Sequence, residues 1–226
     1  TDGQAYHVYS TNMNSNTNCE RLAPDFLTPL ENYAVQLESR RYEAAAIFSV
    51  GELYWGVFSG CTGWDPNPGR FMWTYDLMDE TWQAPADFRA SDGSTGINFC
   101  VDNGKNNSYQ SQSNYVFPVP GRDKCFIYMG DRWNSSNIQS SKHVWLPLSV
   151  RSGYPTVRWY DQWDLSVFDE MYRMKRLKED EDAVGNYYWN NGYLFYNLDP
   201  TEVNIVGDSI DLEMRIQEGT QAHISH

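Results

Sequence analysis

The sequence predicts an all-β chain: about three blades of a β-propeller, then a C-terminal extension of mixed or β structure. Three segments share one local pattern, a glycine turn beside a run of aromatic and β-branched residues ending in Ser or Gly. They cover residues 2–10 around Gly3, 50–60 around Gly51 and 120–130 around Gly121. A hairpin repeated in this way marks a propeller blade. Aromatic residues make up 15% of the 226-residue chain, more than an ordinary core needs, and blade-on-blade packing uses them heavily. A closed ring takes roughly four to eight blades, so a further polypeptide segment or chain is expected to complete this one.

The elements follow in order. Residues 1–10 read as a hairpin, 11–18 as a polar loop, and the stretch to Ser39 as a connection. The second hairpin takes Glu43 to Phe48 as one strand, Gly51 as the turn, and Leu53 to Ser59 as the return. Cys61-Thr62-Gly63-Trp64-Asp65-Pro66-Asn67-Pro68-Gly69 is dense in turn formers and reads as a long loop. Arg70 to Tyr75 alternates like a strand, and Ala84 to Ser108 reads mostly as loop. Ser113 to Val119 with Cys125 to Gly130 form the third hairpin, continued by Val144 to Leu148 and Thr156 to Tyr160. After Trp163 the texture changes. A helix is expected over Ser166 to Lys178, overlapping a charged run (Arg173 to Asp182) that reads as a solvated short helix or linker. Val203 to Ile216 can form two strands, so residues 1–165 and 166–226 divide the chain.

Charge narrows the partners. A net charge of −13 leaves no basic stripe for phosphates, which argues against nucleic acid. An anionic membrane surface is disfavoured for the same reason, and no apolar run approaches the ~20 residues of a membrane span. The chain starts at Thr without a leader-like segment, as a mature, trimmed or partial product would. Four cysteines without metal-type spacing, with sequons at Asn106 and Asn134, point to an extracellular or cell-surface glycoprotein. Cys61 and Cys100 flank one loop system and are the expected disulfide, leaving Cys19 and Cys125 open.

Chemistry concentrates in two loops that follow strand returns, Cys61-Thr62-Gly63-Trp64 and Gly130-Asp131-Arg132-Trp133-Asn134. Propeller ligands sit where such loops converge, and Thr, Trp, Asp, Arg and Asn offer the stacking and hydrogen bonding that a polyol requires. The plainer alternative makes Asp131–Arg132 a structural ion pair and Trp64 or Trp133 inter-blade packing. His223 and His226 have metal-like spacing but lack a third ligand, so no metal site is expected.

At these residues the chain resembles glycoside hydrolase family 43, in its exo-β-1,3-galactanase branch of five-bladed propellers. The resemblance runs through Tyr42-Glu43-Ala44-Ala45-Ala46-Ile47-Phe48, Ser59-Gly60-Cys61-Thr62-Gly63-Trp64, Ser111-Gln112-Ser113, Tyr128-Met129-Gly130-Asp131-Arg132-Trp133 and His143-Val144-Trp145-Leu146-Pro147-Leu148. It is collinear over residues 1–165 and corresponds to the family's last three blades. It implies an inverting hydrolase of β-1,3-galactan or a related glycan. Glu43 takes the place of the general acid, a role that burial among aromatics would favour. Gln112, with Gln110 as the less favoured neighbour, takes the place of the residue that orients the attacking water. Thr62 aligns with a sugar contact, and Trp64, Asn67, Asp131, Arg132 and Trp133 extend that wall. No organic cofactor is implied, and the axial Ca²⁺ of some members has no assignable position here. Two departures matter: Tyr42 replaces the family's arginine beside the acid, with Arg40 or Arg41 as shifted substitutes, and Ala45 replaces a proline. The ending 220–226 faintly echoes the family's first blade. The alternative function is a catalytically silent propeller that binds glycan or builds an extracellular assembly.

Overall fold

The computed structural model describes residues 3–30, 33–79, 82–83, 98–150, 153–206 and 209–222. His223, His226 and residues 84–97 of the expected loop lie outside these. The chain divides into two units, Thr1–Phe168 and Asp169–His226.

Within the first unit, three antiparallel sheets form a partial propeller. The first blade is β1 (Ala5–Thr11), β2 (Asn16–Leu22) and β3 (Ala34–Gln36). The second is β4 (Tyr42–Val50), β5 (Leu53–Gly60) and β6 (Arg70–Thr74). The third is β7 (Gln112–Pro118), β8 (Cys125–Arg132), β9 (Lys142–Ser149) and the short β10 (Thr156–Val157). In each blade successive strands are hydrogen-bonded neighbours.

Side-chain alternation gives the second blade two buried faces. Ala46, Phe48, Trp55, Val57 and Phe71 pack with Val116, Phe126, Tyr128, Leu146 and Leu148 of the third blade. Tyr42, Phe58 and Met72 pack the other way, with Cys19 and Leu37 from the first blade. Each fully buried side chain of this kind stabilises by ~1.5–3 kcal/mol relative to exposure. These two layers fix the blades against one another and so fix what their loop ends bring together.

The first hairpin differs from the sequence expectation. Its turn is not at Gly3 but at residues 12–15, where Asn12, Met13 and Asn14 all have positive φ (51°, 52° and 60°). Asn tolerates this left-handed region because its short amide can bond locally, so the chain reverses without glycine. The residues read as a polar loop therefore include the start of β2, where Thr17 and Asn18 are buried beside Cys19. In the second blade Gly51 supplies the positive φ (60°) that its two-residue turn needs.

The disulfide expected between Cys61 and Cys100 is not formed, and none of the four cysteines is in a disulfide. Cys61 is half-buried at the end of β5, where Sγ contacts the Asn14 carbonyl at 3.6 Å. Cys100 is 1% exposed in the inter-blade core and bridges to Val157. The two sulfurs belong to different neighbourhoods.

Val167 and Phe168, 5% and 0% exposed, finish the first unit. They also begin α1 (Val167–Asn190), nearly twice as long as the expected helix. Lys178 pairs with Glu181 at 3.6 Å and with Asp182 at 3.1 Å, so the acidic run continues the helix by i,i+3 and i,i+4 attraction. In the second unit, β11 (Asn197–Val206) and β12 (Ser209–Gln217) form one antiparallel hairpin with a bulge between Glu202 and Asn204. Tyr188 stacks on Tyr196 at 5.7 Å and donates to Glu218 Oε1 at 3.0 Å, tying the helix end to the segment after β12. No helix among the described residues is long and apolar enough to cross a membrane.

Candidate active site

The first strands of the second and third blades, β4 and β7, lie side by side. Each carries a β-bulge just past a candidate residue. On β4, Glu43 pairs with Ser59 and Ala46 with Val57, so one extra residue is accommodated and Ala44 takes φ 52°. On β7, Ser113 pairs with Gly130 and Tyr115 with Met129. The two irregularities meet, because Ser113 Oγ donates to the Ala44 carbonyl at 2.5 Å. Bulges re-aim side chains next to active sites, and here they bring Glu43 and Gln112 together.

Gln112 Nε2 donates to Ser59 Oγ at 2.9 Å and to Glu43 Oε2 at 3.3 Å. Its Oε1 accepts from Trp133 Nε1 at 2.9 Å, which fixes which end of the amide faces the carboxyl. The other carboxyl oxygen of Glu43, Oε1, accepts from Asn14 Nδ2 at 2.7 Å. Glu43 is half-buried. Burial and the neighbouring Glu43 carboxylate together push the Cys61 thiol up to about 11, so it stays a neutral group there.

Beside this cluster lies an open hollow of about 250 Å³ lined by Ser59, Gln112, Trp64, Trp133, Asn67, Asp131, Arg132 and neighbouring loop residues. Its volume sits just below the ~300–1,000 Å³ of small-molecule sites, a space for one ring rather than a chain. Trp64 and Trp133 are 54% and 43% exposed and meet edge to face at 6.0 Å, so the loops of the second and third blades join in one aromatic wall.

The remaining expected residues take varied places. Thr62 is exposed and outside the lining of the hollow; its Oγ1 donates to the Asp65 carbonyl at 2.6 Å and accepts from Asn67 Nδ2 at 2.7 Å. Asn67 pins the same loop through both backbone groups of Gly60, at 2.8 and 3.0 Å. Asp131 lines the hollow, yet its carboxylate is engaged by Asn114 and His143, both at 2.7 Å. Arg132 donates to the Tyr109 carbonyl at 3.1 and 2.7 Å and lies 4.8 Å over the Trp159 ring. Asp131 and Arg132 thus have separate partners. Gln110 lines the hollow but closes a turn in which Ser108, Tyr109 and Gln110 all have positive φ. Asn106 and Asn134 are exposed, though the Asn134 amide already bonds Ser136, Asn137 and Ser140.

Ser59 and Asn14 escape sequence reasoning. Ser59 ends a strand like any small residue, and Asn14 sits in an ordinary polar stretch. Among the described residues, no group of three His, Cys, Asp or Glu side chains is placed to hold a metal ion.

The chain is similar to several solved structures. One is a GH43 β-1,3-galactosidase, 53% identical, with a TM-score of 0.69 over 76% of this chain and 34% of that one. A second GH43 β-1,3-galactosidase, solved with galactodeoxynojirimycin, is 32% identical with a TM-score of 0.64, covering 73% of this chain and 44% of that one. The exo-β-1,3-galactanase of Phanerochaete chrysosporium, solved with galactose, is 26% identical with a TM-score of 0.57, covering 68% and 32%. The chain therefore spans between a third and a half of the length of these relatives. Residues 151–219 match a family model described as POTRA, surface antigen variable number repeat. A search of curated proteins gives no match.

Proposed function

We propose that this chain, 76% of which aligns with a GH43 β-1,3-galactosidase at 53% identity, supplies the catalytic edge of an inverting exo-hydrolase for β-1,3-linked galactan. The observation that carries this reading is the cluster of Glu43, Gln112 and Ser59 at the rim of an indole-walled hollow.

Inversion needs a proton for the departing glycosidic oxygen and a water held on the opposite face of the sugar. Glu43 is the proton donor. Gln112 holds the water: its Oε1, already accepting from Trp133, keeps a second lone pair for a water O–H. In inverting enzymes the acid and the water-activating group stand ~6.5–9.5 Å apart to leave room for the attacking water beside the sugar. The 3.3 Å contact between Gln112 and Glu43 therefore opens when sugar enters. Gln112 can release it because its shorter bond, to Ser59 at 2.9 Å, stays in place. Trp64 and Trp133 offer their faces to sugar C–H surfaces, while Thr62 and Asn67 hold the loop that carries Trp64.

The decisive measurement is galactose release from β-1,3-galactobiose by the full chain and by Glu43→Gln. Release by the former that falls ~10²–10⁴-fold in the latter is the expected result for a general acid. No release by either leaves the second reading, a silent glycan-binding propeller. That reading is favoured by one observation: Glu43 is not itself among the residues lining the hollow. Calorimetric binding of galactotriose without turnover would be its positive sign.

A further β-sheet segment, in this chain or another, is part of the same proposal. The outer face of the third blade presents Tyr115 and Trp145, 53% and 52% exposed, on either side of Phe117. Exposed aromatic rows of this kind mark contact surfaces. An extracellular or cell-surface setting fits a galactan substrate and the surface-antigen description matched by residues 151–219.

A further inference from the structure

We propose that Asn14, on the first blade, is a positioning residue that decides which oxygen of Glu43 carries the transferable proton. The assignment rests on the hydrolase reading above and concerns the same site.

A protonated carboxyl has one hydroxyl oxygen and one carbonyl oxygen, and only the second accepts a hydrogen bond at full strength. Asn14 Nδ2 donates to Glu43 Oε1 at 2.7 Å. A hydroxyl hydrogen on Oε1 would compete with this donor, so Oε1 is held as the carbonyl oxygen. The proton then belongs on Oε2. That oxygen has the longer 3.3 Å contact from Gln112 Nε2, which Gln112 shares with Ser59. Gln112 and Ser59 both line the hollow, so Oε2 is the oxygen on the substrate side. Asn14 thus orients the acid without touching the sugar.

The hairpin tip is built to hold this amide in place. Asn14 is the last of three consecutive left-handed residues, Asn12 to Asn14. Such a run is unfavourable for L residues and persists where its surroundings enforce it. Here the second blade enforces it from both ends of its sheet. Before β4, Ser39 N donates to Asn16 Oδ1 at 3.0 Å and Arg41 N donates to the Ser15 carbonyl at 3.1 Å. After β5, Cys61 Sγ reaches the Asn14 carbonyl at 3.6 Å.

The test uses the full chain and Asn14→Gly, because glycine keeps the positive φ while deleting the amide. On β-1,3-galactobiose, whose leaving sugar needs a proton, kcat should fall roughly 10- to 100-fold, the scale of a misplaced catalytic group, with KM little changed. On 2,4-dinitrophenyl β-galactoside, which departs without protonation, the variant should match the parent. Asn14→Asp, which also tolerates the turn, should lose at least as much as the glycine variant on galactobiose. An equal loss on both substrates, or none on either, overturns the assignment. A readout independent of turnover is the carboxyl-carbon NMR signal of Glu43 in glutamate-labelled protein, identified by its disappearance in Glu43→Gln. A signal that moves in Asn14→Gly while other glutamates stay put supports the contact, and a fixed one overturns it. Should the parent release no galactose from any substrate, the hydrolase reading falls and the NMR result alone decides the role of Asn14.

Discussion

Gln112 is the residue on which the site turns, since one side chain joins the acid, a buried hydroxyl and an indole wall. Ser59, 4% exposed, is its anchor. In Ser59→Ala the amide loses its shorter bond and stays on Glu43, so kcat/KM on galactobiose should drop roughly 3- to 10-fold, the worth of one net hydrogen bond. A drop carried by KM alone would mean that Ser59 serves only binding. Free thiols set a different sensitivity. Burial pushes Cys19 from 9.0 up to about 12. Below pH 9 the thiol is protonated in folded and unfolded chains alike and costs nothing. As pH rises from 9 towards 12 the unfolded chain gives up this proton and the folded one keeps it, so stability declines with pH. Urea midpoints measured across that window should fall less steeply in Cys19→Ala.

Among elements, the close approach of β8 to the turn before β7 restrains the site. A Cβ at Gly130 would lie 2.6 Å from Ser111 Oγ and 2.8 Å from Tyr128 Oη. Gly130→Ala should therefore cost about 1–3 kcal/mol by overpacking, visible as a lower urea midpoint, and should disturb Gln112, the neighbour of Gly130's cross-strand partner Ser113 on β7. An unchanged midpoint would show that the turn yields freely. The second and third hairpins were legible in sequence because runs of aromatic and β-branched residues flank glycine turns at Gly51 and Gly121. The first was read a strand too early. Its turn uses Asn12, Met13 and Asn14 in place of glycine, and β2 buries Thr17 and Asn18, polar residues that pattern reading assigns to loops. Resemblance to a family brought Glu43 and Gln112 into view. Their partners Asn14 and Ser59 lie 29 and 53 residues away along the chain, and no local pattern carries a pairing over such separations.

For the whole molecule, the division after Phe168 is open to a direct check. A chain ending at residue 168 should keep the unfolding midpoint of the first unit. One ending at 165 also loses Val167 and Phe168, both buried, and should be destabilised by ~3–5 kcal/mol, the cost of emptying an aromatic core position. Equal midpoints for the two would place the boundary earlier. The paired bulges of β4 and β7, tied by Ser113 to the Ala44 carbonyl, also limit how this protein can diverge. Loops around the hollow can lengthen or shorten over generations. A single codon gained or lost ahead of either bulge would turn alternate side chains to the opposite face, swinging Glu43 or Gln112 into the packed seam between blades. Variation in specificity is thus channelled into the loops, while the strand lengths beneath them stay frozen.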